Sequence, residues 1–270
     1  MHIKKEREAM PFENIVYTKE DSIARLIVDR QEKRNALNYN TRIEMGKALE
    51  DVMMDSSVKV LVVSGAGEKS FIAGADLNAL ASLTPLKFEE FAATVGQKFF
   101  SKFEELDKPV IAMIDGLCLG GGLEVALACD IRIASESSRF GQPEINVGII
   151  PGGGATQRLP RLVGAGKAKE LIFTGNIIDA QEAFRIGLIN QIVPSEKLED
   201  VVISMARRIA EKSPLTIKWA KKAINAAEET TLTMGLAYEA LVESLLFSSK
   251  DKEEGMKAFF EKRKAQFKGE

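Results

Sequence analysis

The chain has 270 residues and a mass of 29.6 kDa, with 45% apolar and 28% charged residues and a formal net charge of −2; this suits one large α/β domain or two small ones and gives no electrostatic reason to bind a polyanion. Its single histidine, His2, and its two cysteines, Cys118 and Cys129, exclude a Ser-His-Asp triad, a Cys-His pair, an HExxH zinc site and a Cys-rich metal centre. Any chemistry must rest on carboxylates, amides, hydroxyls, lysines or a cofactor.

The opening residues, MHIKKEREAMPFENI, lack the apolar core of a signal peptide and carry too many acids for a transit peptide. No run of 18 apolar residues predicts a membrane span, and both cysteines read as buried thiols of a reduced compartment. A cytoplasmic protein is expected. Strands are predicted at Ile15–Thr18 and Ile23–Val28, as hairpin partners. A helix follows from Thr41, its N-cap, to about Met54, with Ile43, Met45, Leu49 and Val52 near one face. Val58–Ser64 is a β-branched run closed by Gly65 and reads as a buried strand. A mixed helix is predicted around Lys87–Leu106, a second buried strand at Val110–Asp115, a short apolar helix after the glycine cluster, and a third strand at Asp130–Ala134. Beyond Lys167 the chain reads as mostly helical, including Glu196–Glu211, Pro214–Ala227, Thr231–Phe247 and Lys252–Lys264. A strand-rich first half and a helix-rich second half make the class α/β or α+β. The tail, KDKEEGMKAFFEKRKAQFKG, is amphipathic and reads as a docking helix; acids interleave its lysines, which argues against a nucleic-acid partner.

Two glycine-rich segments each follow a predicted strand: Ser70-Phe71-Ile72-Ala73-Gly74-Ala75-Asp76, and Gly116-Leu117-Cys118-Leu119-Gly120-Gly121-Gly122-Leu123-Glu124. Strand, glycine turn and helix together aim unpaired N–H groups at an anion. Neither segment matches GxGxxG or GxxxxGK[ST], so a nucleotide-phosphate loop is not predicted. Two carboxylates stand beside these turns. Glu124 falls in the first turn of an otherwise apolar helix, and Glu144 falls in Gly141-Gln142-Pro143-Glu144-Ile145, before the turn Pro151-Gly152-Gly153-Gly154. Buried glutamates are rare unless paired or functional. With no catalytic histidine available, the pair suits acid/base chemistry beside a developing oxyanion.

The stretch IAMIDGLCLGGGLEVALACDIRIASESSRFGQPEINVGIIPGGGATQRL closely resembles the signature of the enoyl-CoA hydratase (crotonase) superfamily. The similarity extends to EKRNALN at Glu32–Asn38, FIAGADL at Phe71–Leu77, TGNIIDAQEAFRIGLINQIV at Thr174–Val193 and EGMKAFFEKRKAQFKG near the end. It implies an α/β fold, a crotonase-like spiral of ββα units. Residues 1–200 would form the core with the CoA and catalytic site, and residues 201–270 a C-terminal helical region for trimerisation. The oxyanion-hole amides match Ala73 and Gly121, and the hydratase glutamates match Glu124 and Glu144. By the resemblance Glu124 would position and deprotonate water for attack at Cβ, Glu144 would deliver a proton to Cα, and the Gly152 amide would help hold the water. CoA would run past Lys33, Arg34, Ala36 and Leu37 and the segment Ala73, Ala75, Asp76, Leu77, with Phe259 and Lys262 contributing, often across a subunit boundary. Two departures stand out: Gln31 replaces the usual proline, which would loosen the CoA-side loop, and PGGGAT replaces the commoner PGAGGT, a change expected to be mild.

The implied activity is reversible syn hydration of a 2-trans-enoyl-CoA to a 3-hydroxyacyl-CoA. No metal and no cofactor are expected beyond the CoA carried by the substrate. The partners expected are the acyl-CoA thioester and further copies of the chain, as a homotrimer or homohexamer, with no membrane and no nucleic acid. Δ3,Δ2-enoyl-CoA isomerisation or another acyl-CoA lyase reaction of the fold is the alternative; two glutamates favour hydration, since isomerisation needs one. RNA binding, known in one branch of the superfamily, uses a lysine-rich helix, whereas TRIEMGKALEDVMMD here has one lysine and four acids.

Overall fold

The structure, a computed structural model, describes residues 12–270; His2 lies outside them. In chain order it contains β1 (Ile15–Glu20), β2 (Ile23–Val28), α1 (Tyr39–Met54), β3 (Val60–Gly65), β4 (Ser70–Ile72), α2 (Leu77–Ala81), α3 (Pro85–Val95), α4 (Gln97–Glu105), β5 (Val110–Ile114), β6 (Leu117–Leu119) and α5 (Gly121–Ala128). There follow β7 (Ile131–Ser135), β8 (Arg139–Gly141), α6 (Ala155–Val163), α7 (Ala165–Thr174), β9 (Ile177–Asp179), α8 (Ala180–Arg185), β10 (Gln191–Val193), α9 (Leu198–Ala210), α10 (Pro214–Ala227), α11 (Leu232–Phe247) and α12 (Lys250–Phe260).

The strands form two sheets, one of six in the order β1-β2-β3-β5-β7-β10 and one of four in the order β4-β6-β8-β9. Strands β3, β5 and β7 each hand the chain to the next strand of the smaller sheet, so each turn contributes one strand to each layer. The result is a spiral. Pairing is parallel except at β1–β2 and β8–β9. The apolar run of β3 is buried on both faces because its side chains alternate. Val60 and Val62 pack with Val202 and Ala206 of α9, while Leu61 and Val63 enter the main core with Leu26, Phe71 and Phe103. The division expected at residue 200 therefore falls inside α9, which covers one face of the larger sheet.

Three local readings change. Asn38, not Thr41, caps α1: its Oδ1 accepts from the Thr41 N–H and the Thr41 hydroxyl, both at 2.8 Å. The helix predicted around Lys87–Leu106 is two helices, α3 and α4, which meet at Gly96 with ψ −127. A Cβ at Gly96 would lie 2.3 Å from the Ala92 carbonyl oxygen, so this sharp join needs glycine. The last helix ends at Phe260, four residues before the predicted Lys264. No helix among the described residues is long and apolar enough to cross a membrane.

Candidate active site

Strands β4 and β6 pair side by side, so the turns that leave them emerge together. After β6, Gly120 (φ +49, ψ −123) reverses the chain into α5, whose eight residues are all buried. Gly122 lets the helix abut β4: a Cβ there would lie 2.0 Å from the Ile72 carbonyl oxygen. Gly121 is the first residue of α5, so its N–H has no partner within the helix. A Cβ on Gly121 would meet only ordinary contacts, the nearest being the Ala75 nitrogen at 3.6 Å. The glycine is thus not forced by the fold, and the space beside it is left for something else.

That contact also corrects the predicted oxyanion pair. The Ala73 N–H already donates to the Arg34 carbonyl at 3.1 Å. Two residues on, the Ala75 N–H has no protein acceptor among the described residues and stands opposite Gly121. The free pair of amides is Ala75 and Gly121. The segment is fixed from the other side by residues 34–37. Leu37 N–H donates to the Gly74 carbonyl at 2.8 Å and Asp76 N–H to the Leu37 carbonyl at 3.0 Å, a parallel bridge between Leu37 and Ala75. This brings the segment 34–37 alongside 73–76, two of the stretches along which CoA is expected to run. Asn35, which the sequence reading passed over, holds the loop. It is buried at φ +59, a conformation asparagine tolerates, and its amide donates to Ser70 O at 2.7 Å and Ala66 O at 3.0 Å while its Oδ1 accepts from Arg30 N–H at 3.0 Å. Arg30 in turn bonds the Ala36 carbonyl and reaches Asp76 at 3.3 Å. These ties secure the loop that lacks the usual proline at Gln31.

Glu124 lies on the first turn of α5 and is buried. Its Oε1 accepts from the N–H of Gly153 at 2.6 Å and of Ala155 at 3.2 Å. Burial pushes its carboxyl above the ordinary range, while those two donors and the charges of Arg42 and Arg158 pull it back. Arg158 braces the same turn: it donates to the Gly153 carbonyl at 3.0 Å and forms two 2.6 Å bonds with Glu104. The change to PGGGAT is more than mild here. A Cβ on Gly153 would lie 2.3 Å from Phe100 Cε2 and 2.5 Å from Glu124 Oε2, so the ring and the carboxylate occupy the space of an alanine methyl. Gly152 opens onto free space, with nothing within 4 Å of its Cβ position.

Glu144 sits in a 3-10 turn, Pro143–Val147, whose capping Gly148 adopts φ +76. Its Oε1 would lie 2.8 Å from a Cβ on Gly120, which places the second carboxylate against the turn that begins α5. Burial first, and then the Glu124 charge, raise its pKa to about 7. Gln142 is fully buried beside it; with its amide nitrogen turned toward Glu144 it donates to both carboxylate oxygens, at 3.0 and 3.1 Å. A cavity of about 310 Å³ lies between α2, α3 and the start of α1, with Leu37, Asp76, Leu80, Leu83 and Phe91 in its wall.

The Enoyl-CoA hydratase/isomerase family profile matches residues 18–270. The chain belongs to this family. It is 46% identical to the crotonyl-CoA hydratase of Syntrophomonas wolfei over 96% of this chain and 99% of that one. It is 43% identical to the short-chain-enoyl-CoA hydratase of Clostridium acetobutylicum over 94% and 97%. Among solved structures, the enoyl-CoA hydratase of Bacillus anthracis superposes with a TM-score of 0.92 at 39% identity, covering 96% of this chain and all of that one. The fold is the crotonase spiral expected for an enoyl-CoA hydratase/isomerase.

One part of the predicted site of this family member is not assembled within a single chain. Phe259 is 78% exposed, and its ring contact is with Phe260. Lys262 (φ +54) turns the chain out of α12. The contacts of this region run instead to α10 and the tail, where Asp251 accepts from Ser213 Oγ at 2.6 Å, Lys268 N–H at 2.8 Å and Gly269 N–H at 3.0 Å. Gln142, Gly153, Ala155 and Arg158 were missed as site residues. All four lie inside the quoted motif, but their bonds to Glu124, Glu144 and the Gly153 turn are set by the fold and carry no local sequence signal.

Proposed function

We propose that this chain is an enoyl-CoA hydratase that adds water reversibly across the double bond of short 2-trans-enoyl-CoA thioesters, giving 3-hydroxyacyl-CoA. The observation that carries the reading is a pair of coupled carboxylates, one clasped by backbone donors and one with a pKa of about 7, beside two amides free to bind an oxyanion. The names of the S. wolfei and C. acetobutylicum relatives support the short acyl chain.

The thioester oxygen sits between the Ala75 and Gly121 N–H groups. The helix start favours the enolate over the neutral carbonyl because partial positive charge collects there. Water rests on Glu124, Glu144 and the Gly152 amide. Ionised Glu124 takes a proton from the water as its oxygen bonds to Cβ, and the double-bond electrons move through Cα toward the thioester oxygen. Glu144, protonated near neutrality, returns a proton to Cα as the enolate collapses. The net change is addition of one water, with one proton taken and one given, and no metal or redox group is required. Each oxyanion donor contributes about 3–4 kcal/mol to the barrier lowering, the range found for other oxyanion holes. Lys33 and Arg34 are exposed cations beside this site and suit the phosphates of CoA.

The assembly that completes the site is a homotrimer or a pair of trimers in the cytoplasm. Leu232, Leu241, Phe247, Phe259 and Phe260 leave a large apolar surface on the last two helices of the single chain, and Phe259 and Lys262 reach a neighbour's CoA. Loss of the enoyl-thioester absorbance, followed for acyl chains of four to about twelve carbons, tests the activity; the four-carbon substrate turns over fastest. Absence of hydration across the panel overturns the reading, and an active monomer by light scattering overturns the assembly.

A further inference from the structure

Arg42, on α1, has no place in the reaction as described. It is buried, and a charge of that kind is costly to bury unless something repays the lost hydration. Its hydrogen bonding does not: one nitrogen donates to the Val95 carbonyl at 2.8 Å, and Nε has no partner. Three rings surround the guanidinium instead, with their centroids 5.0 Å (Phe91), 5.8 Å (Phe99) and 5.2 Å (Phe100) away. Cation–π contact offsets only part of such a cost. Burial lowers the Arg42 pKa to about 10, so the group stays charged at neutrality, and the charge acting to hold it there is that of Glu124.

The geometry joins the two. The Phe100 ring that covers Arg42 is the ring that shares the Gly153 Cβ space with Glu124 Oε2. One aromatic side chain therefore borders both the cation and the carboxylate, and both are buried, where an effective dielectric well below that of water strengthens their attraction. We infer that Arg42, packed on the Phe100 ring that also borders Glu124, is a positioning residue that keeps Glu124 ionised, so that of the two glutamates Glu124 is the base and Glu144 holds the proton. The inference rests on the hydratase reading above. It adds what that reading left open, the source of the asymmetry between two coupled acids.

The other charges facing Glu124 do not substitute for Arg42. Arg158 on α6 is committed to Glu104 of α4 by two 2.6 Å bonds. Glu144, itself raised by the Glu124 charge, brings no positive charge to Glu124. Arg132 on β7 lies at the far end of α5, bonded to the carbonyls of Ala126, Cys129 and Leu188.

The test is the pH profile of kcat/KM for crotonyl-CoA hydration by the intact protein, its Arg42→Gln variant and its Arg42→Lys variant. Removing the charge raises the pKa of Glu124, so the acid limb of the Arg42→Gln profile moves to higher pH by about one unit. Arg42→Lys, which retains a cation, keeps the limb within a few tenths of a unit of the parent. A folded Arg42→Gln protein whose acid limb has not moved overturns the inference, and so does an Arg42→Lys limb that moves as far as that of Arg42→Gln. If Arg42→Gln does not fold, the Arg42→Lys limb alone decides against Arg42→Met measured in the same way. Failure of the parent to hydrate crotonyl-CoA would overturn the hydratase reading instead, so the two failures are distinct.

Discussion

Glu124 and Glu144 are the same side chain in two settings. The first lies in a helix's opening turn, with one oxygen clasped by the Gly153 and Ala155 amides and two arginine charges in reach. The second lies in a short 3-10 turn, backed by the Gln142 amide and facing the Glu124 charge, with a pKa of about 7. Both are raised by burial, but only the first is opposed by backbone donors from another turn and by cations. The difference teaches where acid and base roles come from: not from the residue type, but from which neighbour is aimed at each carboxylate.

The largest effects should follow from erasing either side of the contrast. Glu124→Gln and Glu144→Gln each lower crotonyl-CoA hydration by at least about 10²-fold, the lower edge of acid/base contributions. Near-parental turnover in one variant would remove that residue from the chemistry. A variant that keeps both carboxylates sharpens the comparison by removing only the oxyanion donor. Gly121 is the first residue of α5, where proline is tolerated because its N–H has no helical partner to lose. Gly121→Pro should therefore fold, bind acyl-CoA within a few-fold of the parent, and lose about 10²–10³ in kcat. Circular dichroism and a CoA-thioester titration establish the first two points. A folded, binding-competent variant with substantial activity would mean that the Gly121 amide is not the donor.

Much of this is legible in the sequence. The β-branched run of β3, the glycine turns and both glutamates carry local signals, because strand period, turn chemistry and isolated acids in apolar surroundings are sequence-local. The second half of each interaction was not. That the Ala73 amide is spent on Arg34 and the Ala75 amide is free depends on how residues 34–37 pair with 73–76, a contact between segments about 40 residues apart. The join at Gly96 was read through because the apolar spacing of α3 continues into α4. Arg42 carries no local signal of its burial, which comes with the packing of Phe91, Phe99 and Phe100 from the neighbouring helices.

The smallest expected effect is on stability, and it probes Glu144 without any substrate. Its pKa rises from 4.5 in the unfolded chain to about 7 in the fold. The folded protein therefore holds this proton more tightly than the unfolded one. Below about pH 4.5 the group is protonated in both states and costs nothing; between 4.5 and 7 the unfolded chain gains by ionising, and stability is lost as pH rises. Above about pH 7 the cost is complete, because the carboxylate must be carried ionised next to Glu124 in the folded state. Glu144→Gln removes that charge and keeps the shape, so it should be more stable than the parent at pH 8, by on the order of 2 kcal/mol, with the gain vanishing near pH 4.5. Glu124→Gln should not behave this way at pH 8. Losing that carboxylate leaves the Gly153 and Ala155 donors less well satisfied and strands Arg42 without its opposite charge, which is costly in a buried site. Urea unfolding of the two variants at pH 5 and pH 8 measures both differences. Equal pH dependence in the two would mean that the glutamates do not occupy distinct electrostatic settings, and the assignment of base to one and acid to the other would fall with it.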